Sequence, residues 1–234
     1  MKQIIALPVP ETIEERMKSL ISPLDFAKEM ERYWIDQLGN ISSEALRQVW
    51  MQLAKTFGSH IGSFSPFESW TILQPPTGSG KTQGTIVYCK MLSRLDRRDH
   101  PGVLIVTRRI DDANQIAEQI NKLSGKTDEA FAYHSDTKDK LKITDLENYP
   151  VLVITHRAYE LALDLLGQDG NIQQTWPFFY NWKNNNRRLV VIDEALDIVE
   201  HSQAALEGLR QTEATLSQSI RTRFPLEVQC LKEV

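Results

Sequence analysis

The sequence predicts an α/β fold, a mostly parallel sheet flanked by helices, with a helical appendage at the N-terminus. Three observations carry this. Short, near-continuously apolar runs recur from residue 70 onward: WTILQ (70–74), GVLIVT (102–107), AFAYH (130–134), PVLVIT (150–155) and RLVVID (188–193). Strands buried on both faces look like this. Amphipathic segments lie between them, and strand–helix alternation implies parallel strands. Residues 11–57 hold no such strand pattern and read as helical.

The elements follow in order. In SEALRQVWMQLAKTF (43–57), Leu46, Val49, Trp50, Leu53 and Phe57 recur at spacings of three and four, one face of a helix. Ser42 or Ser43 is placed to cap it. GSHIGSFSPFES (58–69) is rich in Gly, Ser and Pro and reads as a connector. The expected organisation is therefore an appendage over 1–65 and an α/β domain over 66–234. Within that domain IDDANQIAEQINKL (110–123) carries Ile110, Ala113, Ile116, Ala117, Ile120 and Leu123 on one stripe. HRAYELALDLLG (156–167) is a further helix. The stretch 167–188 has neither period and reads as an exposed insertion with aromatic anchors.

Composition excludes some classes. The chain has 234 residues and 41% hydrophobic content, enough for a sizeable core. No apolar run reaches the length of a membrane span. MKQIIALPVPETIEER is broken by Pro8 and Pro10 and does not read as a signal peptide. Two distant cysteines, Cys89 and Cys230, suit a reduced, cytoplasmic setting. A net charge of −4 argues against a broadly basic nucleic-acid surface, though backbone amides and a few cations suffice for a local groove.

Two stretches carry chemistry. PTGSGKT (76–82) sits between an apolar strand and a helix. Glycines there let the backbone curl so that several N–H groups point at a polyphosphate, and the helix adds its positive end. Thr77, Gly78, Ser79, Gly80, Lys81, Thr82 and Gln83 form this candidate nucleotide loop; Lys81 would reach the β- and γ-phosphates, and the Thr82 hydroxyl would ligate Mg²⁺. The full eight-residue pattern asks for glycine where Pro75 stands. RLVVIDEALDIVE (188–200) ends a strand in two acids, at the edge where parallel sheets bind ligands. Asp193 would hold the metal and Glu194 would orient and activate water; a solvated helix start is the competing reading of this pair.

PTGSGKT followed by VVIDEA resembles the superfamily 2, DEAD/DEAH-box-like helicases and translocases over about residues 70–200. VLIVTRRIDDANQIAEQI and PVLVITHRAYEL are similar to that family's intervening motifs. The resemblance implies a RecA-like first motor domain that binds ATP and Mg²⁺, hydrolyses ATP and grips one strand of DNA or RNA. It makes Lys81 and Glu194 the catalytic residues and Thr82 and Asp193 the metal residues. Thr107, Arg108 and Thr155 become candidate backbone contacts; helix capping by the threonines and a solvated Arg108 and Arg109 are the alternatives. The upstream Gln48 or Gln52 is placed to read adenine, or to line a polar helix face.

Departures from the pattern are specific. Leu196 stands where the family has Asp or His, and EATLSQSI (213–220) is a poor Ser-Ala-Thr motif. No second motor domain with an arginine finger follows. Such a finger contributes about 10³-fold or more to phosphoryl transfer, so the chain is expected to bind ATP better than it turns it over, as a fragment of a longer helicase or in company with a partner. An ATPase or nucleotide switch acting on a protein partner is the alternative function, and a non-enzymatic binding module a third; the intact Lys81, Thr82, Asp193 and Glu194 speak against the last.

Overall fold

The computed structural model describes residues 20–62, 70–164, 175–183, 185–194 and 223. Its contacts divide the chain at Ala195/Leu196, and Arg223 is the one described residue of the C-terminal unit. Leu196, EATLSQSI and Cys230 lie outside the described residues.

Two helices come first, α1 (Pro23–Asp36) and α2 (Glu44–Gly62). Ser22 caps α1 by accepting the Asp25 N–H, and Pro23 occupies its first turn, where a missing N–H does no harm. Of the two candidate caps for α2, Ser43 is the one used: its hydroxyl accepts the Leu46 N–H at 3.2 Å. α2 runs through Gly62, so GSHIG (58–62) is helix rather than connector. Ile61 is fully buried, and the glycines at 58 and 62 are buried with it; this tertiary packing outweighs the low helix propensity of glycine.

Next come α3 (Lys81–Leu92), β1 (Val103–Thr107), α4 (Ile110–Ser124), β2 (Ala130–Tyr133), a 3₁₀ turn at Ile143–Asn148, β3 (Val151–Thr155) and α5 (His156–Asp164). The insertion holds α6 (Trp176–Tyr180) and a small antiparallel pair, β4 (Asn181–Trp182) and β5 (Asn185–Asn186). β6 (Leu189–Ile192) closes the series. Within the insertion Phe179 and Trp182 are buried anchors. Arg187 is buried too, its guanidinium donating to the carbonyls of Phe179, Leu146, Tyr149 and Pro150 at 2.8–2.9 Å. Burial lowers its pKa to about 9.

The main sheet has the order β2-β3-β1-β6, every pairing parallel. This is the predicted α/β architecture, and it matches a RecA-like domain. Alternate residues separate by face. Val103, Ile105, Val151, Val153 and Leu189 join the cluster formed with α1–α4, while Leu104, Val106, Leu152 and Ile154 are buried on the other side. One predicted strand is missing. WTILQ has no ladder partner among the described residues, and Trp70 and Ile72 are 66% and 80% exposed. An apolar run becomes a strand only where a neighbour takes up its N–H and C=O groups.

α1 and α2 share the core cluster with the sheet domain. Phe26 and Phe57 meet Tyr88 of α3 edge-on at 5.6 and 5.0 Å, and the Leu53 side chain lies against Gly84. Glu29 of α1 binds Lys90, and also Arg94 at 3.2 Å, near the far end of α3. Among the described residues no helix is long and apolar enough to cross a membrane.

Candidate functional site

The site grows from the carboxyl ends of β1, β3 and β6. In-register pairing puts Thr107 beside Thr155 and Val106 beside Ile192, and the Asp193 N–H donates to the Val106 carbonyl at 2.8 Å. Asp193 therefore leaves the sheet at the level of the two threonines. Its own carbonyl is 3.1 Å from His156 Nε2, at the first residue of α5. Glu194, the next residue, has φ +70°. That region costs a non-glycine residue about 1 kcal/mol or more, and such strain gathers at functional sites. It also turns the chain sharply, so the two adjacent acids diverge, with Glu194 exposed.

The glycine loop faces them. Gly78 and Gly80 both have positive φ, +78° and +79°, which glycine adopts without strain. The Ser79 N–H donates to the Pro76 carbonyl at 3.2 Å, and the Gly84 N–H to the Gly80 carbonyl at 2.7 Å, which starts α3. Gly80 caps that helix without a side chain, leaving its first-turn N–H groups for an anion. Lys81 is exposed at the helix start. Thr82 follows, and its hydroxyl donates to Asp193 Oδ2 at 2.6 Å. Loop and acid pair are thus joined across 111 residues of sequence.

A cavity of about 190 Å³ opens at this junction. It is lined by Thr82, Gln83, Thr107, Arg109, Asp193 and Glu194, and further along α4 by Asp112, Gln115 and Gln119. Arg109 is fixed by a two-pronged bond to Asp112 at 2.8 and 2.9 Å. That bond holds the Asp112 carboxyl below the usual carboxylate range. The donor set suits Mg²⁺, which prefers one or two hard protein oxygens and fills its remaining positions with water and phosphate. Thr82 and Asp193, whose side chains meet, would supply those oxygens.

The structure brings Gln83, Thr82, Asp193, Glu194 and Thr107 together around the cavity. Thr77, Gly78, Ser79, Gly80 and Lys81 form the adjoining curl. Arg108 is exposed and lies outside the cavity lining; Arg109 is the arginine that faces it. Thr155 accepts the Ala158 N–H at 3.3 Å and so caps α5. Gln48 donates to Glu44 and, like Gln52, is exposed away from the cavity. Tyr133 and His134 are packing residues, against Phe179 and Asn114 respectively.

Sequence reasoning missed several contributors. His156 opens α5, and its bond to the Asp193 carbonyl is visible only once β3 and β6 are placed. Trp50 lies on the apolar face of α2 that its spacing predicts, and its indole N–H also donates to the Ser79 carbonyl at 2.9 Å. The Tyr33 hydroxyl donates to Gln83 Oε1 at 3.2 Å.

A family model described as DEAD/DEAH box helicase matches residues 64–223, two thirds of the chain. No curated protein matches it. A parallel sheet carrying a glycine loop and an acid pair at its carboxyl edge defines the class, a helicase-type motor domain of the ATP-binding kind. Within that class, the chain belongs to the DEAD/DEAH box helicase family.

Proposed function

We propose that the chain is the first motor domain of a superfamily 2 helicase or translocase, binding MgATP between the glycine loop and the acid pair and gripping a single strand of DNA or RNA near the carboxyl edge of the sheet. The observation that supports this most strongly is the 2.6 Å bond between Thr82 and Asp193. A shared metal site requires these two side chains to converge, and a chance Gly-rich turn would not bring them together.

The roles follow from position. Backbone N–H groups over Thr77–Thr82 and the start of α3 hold the phosphates. Lys81 adds a point charge, and its exposure leaves it free to swing onto the β- and γ-oxygens. Asp193 and the Thr82 hydroxyl would hold Mg²⁺, which would supply positive charge to the phosphate oxygens. Glu194, turned out of line with Asp193, positions the attacking water and accepts its proton. Arg109, though exposed at the cavity, is tied to Asp112 and so is not placed to act as an arginine finger. A second RecA-like domain, in the same chain or a partner, would supply one.

Two measurements test the reading. MgATP affinity, followed by titration calorimetry, falls about tenfold to a hundredfold in Lys81→Ala, the equivalent of one charge-assisted contact. Single-strand oligonucleotides bind more weakly as salt rises, because phosphate contacts release counterions. Nucleotide binding without any oligonucleotide binding would instead favour a switch acting on a protein.

A further inference from the structure

We infer that Trp50, in the N-terminal helical pair, is a positioning residue for the phosphate loop: its indole holds the Ser79–Gly80 peptide so that the Gly80 N–H faces the nucleotide's phosphates. The inference rests on the proposed nucleotide site and assigns a part of it to residues upstream of the family match.

The geometry is direct. Trp50 is fully buried, and its Nε1–H donates to the Ser79 carbonyl at 2.9 Å. The peptide is trans, so the Ser79 carbonyl and the Gly80 N–H point in opposite directions. Tethering the carbonyl to α2 turns the N–H away from α2, to the side on which a phosphate lies. Without the tether this peptide is free to flip, because glycine on its C-terminal side accepts either orientation. A flipped peptide would present an oxygen to the anion.

Neighbouring contacts keep the tether in register. Trp34 of α1 packs on Trp50, ring centres 5.8 Å apart. A Cβ placed on Gly80 would lie 2.7 Å from Trp34 Cζ3 and 3.0 Å from Met30 Cε, so α1 touches the loop backbone itself. Tyr33 holds Gln83 one turn further on. The helical pair thus touches the loop and the start of α3 at Ser79, Gly80 and the Gln83 side chain.

The test uses the 234-residue chain and two matched substitutions. Trp50→Phe keeps an aromatic ring and removes the N–H. Trp182→Phe makes the same change where another buried indole donates to a carbonyl, that of His100, at 3.0 Å and away from the loop. Affinities for MgADP and for inorganic triphosphate are measured by calorimetry beside the melting temperature. Trp50→Phe is expected to weaken both ligands about three- to tenfold, the range of one lost hydrogen bond. Trp182→Phe should lower the melting temperature and leave both affinities unchanged. Equal affinities in Trp50→Phe and the parent overturn the inference alone, whereas a parent that binds neither ligand removes the nucleotide site as well. Should Trp50→Phe fail to fold, ¹⁵N-indole spectra of the parent decide: saturating MgADP shifts the Trp50 resonance and not that of Trp182. An unmoved Trp50 resonance overturns the assignment.

Discussion

Substituting Gly80 by alanine probes the contact between the N-terminal helices and the phosphate loop. Two effects add. The residue sits at φ +79°, where a side chain costs about 1–2 kcal/mol. Its Cβ would also stand 2.7 Å from Trp34 Cζ3 and 3.0 Å from Met30 Cε, well inside the ~3.5–4.0 Å of ordinary carbon contact. Overpacking of this kind costs about 1–3 kcal/mol. The sum is about 2–5 kcal/mol, or roughly 4–20 °C in melting temperature for a chain of this size. Trp34 makes the shortest of these contacts, so its share is separable by a double-mutant cycle in urea. In a Trp34→Ala background, Gly80→Ala should cost less, down to the backbone share of about 1–2 kcal/mol plus what the flexible end of Met30 adds. A cost that is the same in both backgrounds would show that α1 does not press on the loop, and the reasoning would fail.

The remaining predictions concern the metal ligand, the charge network and the insertion. Thr82→Val removes the hydroxyl bonded to Asp193 while keeping the side-chain shape; metal-dependent nucleotide affinity, read by calorimetry with and without EDTA, should fall about tenfold, with little change in metal-free binding. Burial alone would raise the Glu29 pKa, but the cations of Lys90, Arg32 and Arg94 outweigh it and hold the carboxyl low. A depressed folded pKa stabilises above the unfolded value near 4.5 and loses that stability as pH falls through the folded value. Glu29→Gln should therefore cost about 1–2 kcal/mol at pH 7, discounted for the solvent around Arg32 and Arg94, and the difference from the parent should close below pH ~4.5 in denaturant titrations. Arg187→Met leaves the carbonyls of Phe179, Leu146, Tyr149 and Pro150 without their buried donor, and chemical denaturation should show a loss of about 3 kcal/mol or more.

Much of the sheet was legible because β1 and β3 bury every residue, and a chain cannot hide that in its composition. WTILQ carries the same apolar signal yet is exposed at Trp70 and Ile72, because hydrophobicity reports a tendency to pair and not the presence of a partner. The glycines of GSHIG misled for a related reason. Their low propensity is local, whereas the burial of Ile61 that keeps them helical is tertiary. At the site, Thr82 and Asp193 could be named from spacing, since each sits at the end of a readable element. Trp50 and His156 could not. Both act through bonds to backbone carbonyls, and a carbonyl has no letter in the sequence.

Calorimetric titration of MgATP into the chain and into Asp193→Ala tests whether the loop at 77–82 and the acid at 193 together hold a magnesium nucleotide. The parent should bind saturably and only with Mg²⁺, and the variant should lose about tenfold or more in affinity. Equal, metal-independent affinity in both proteins would contradict this.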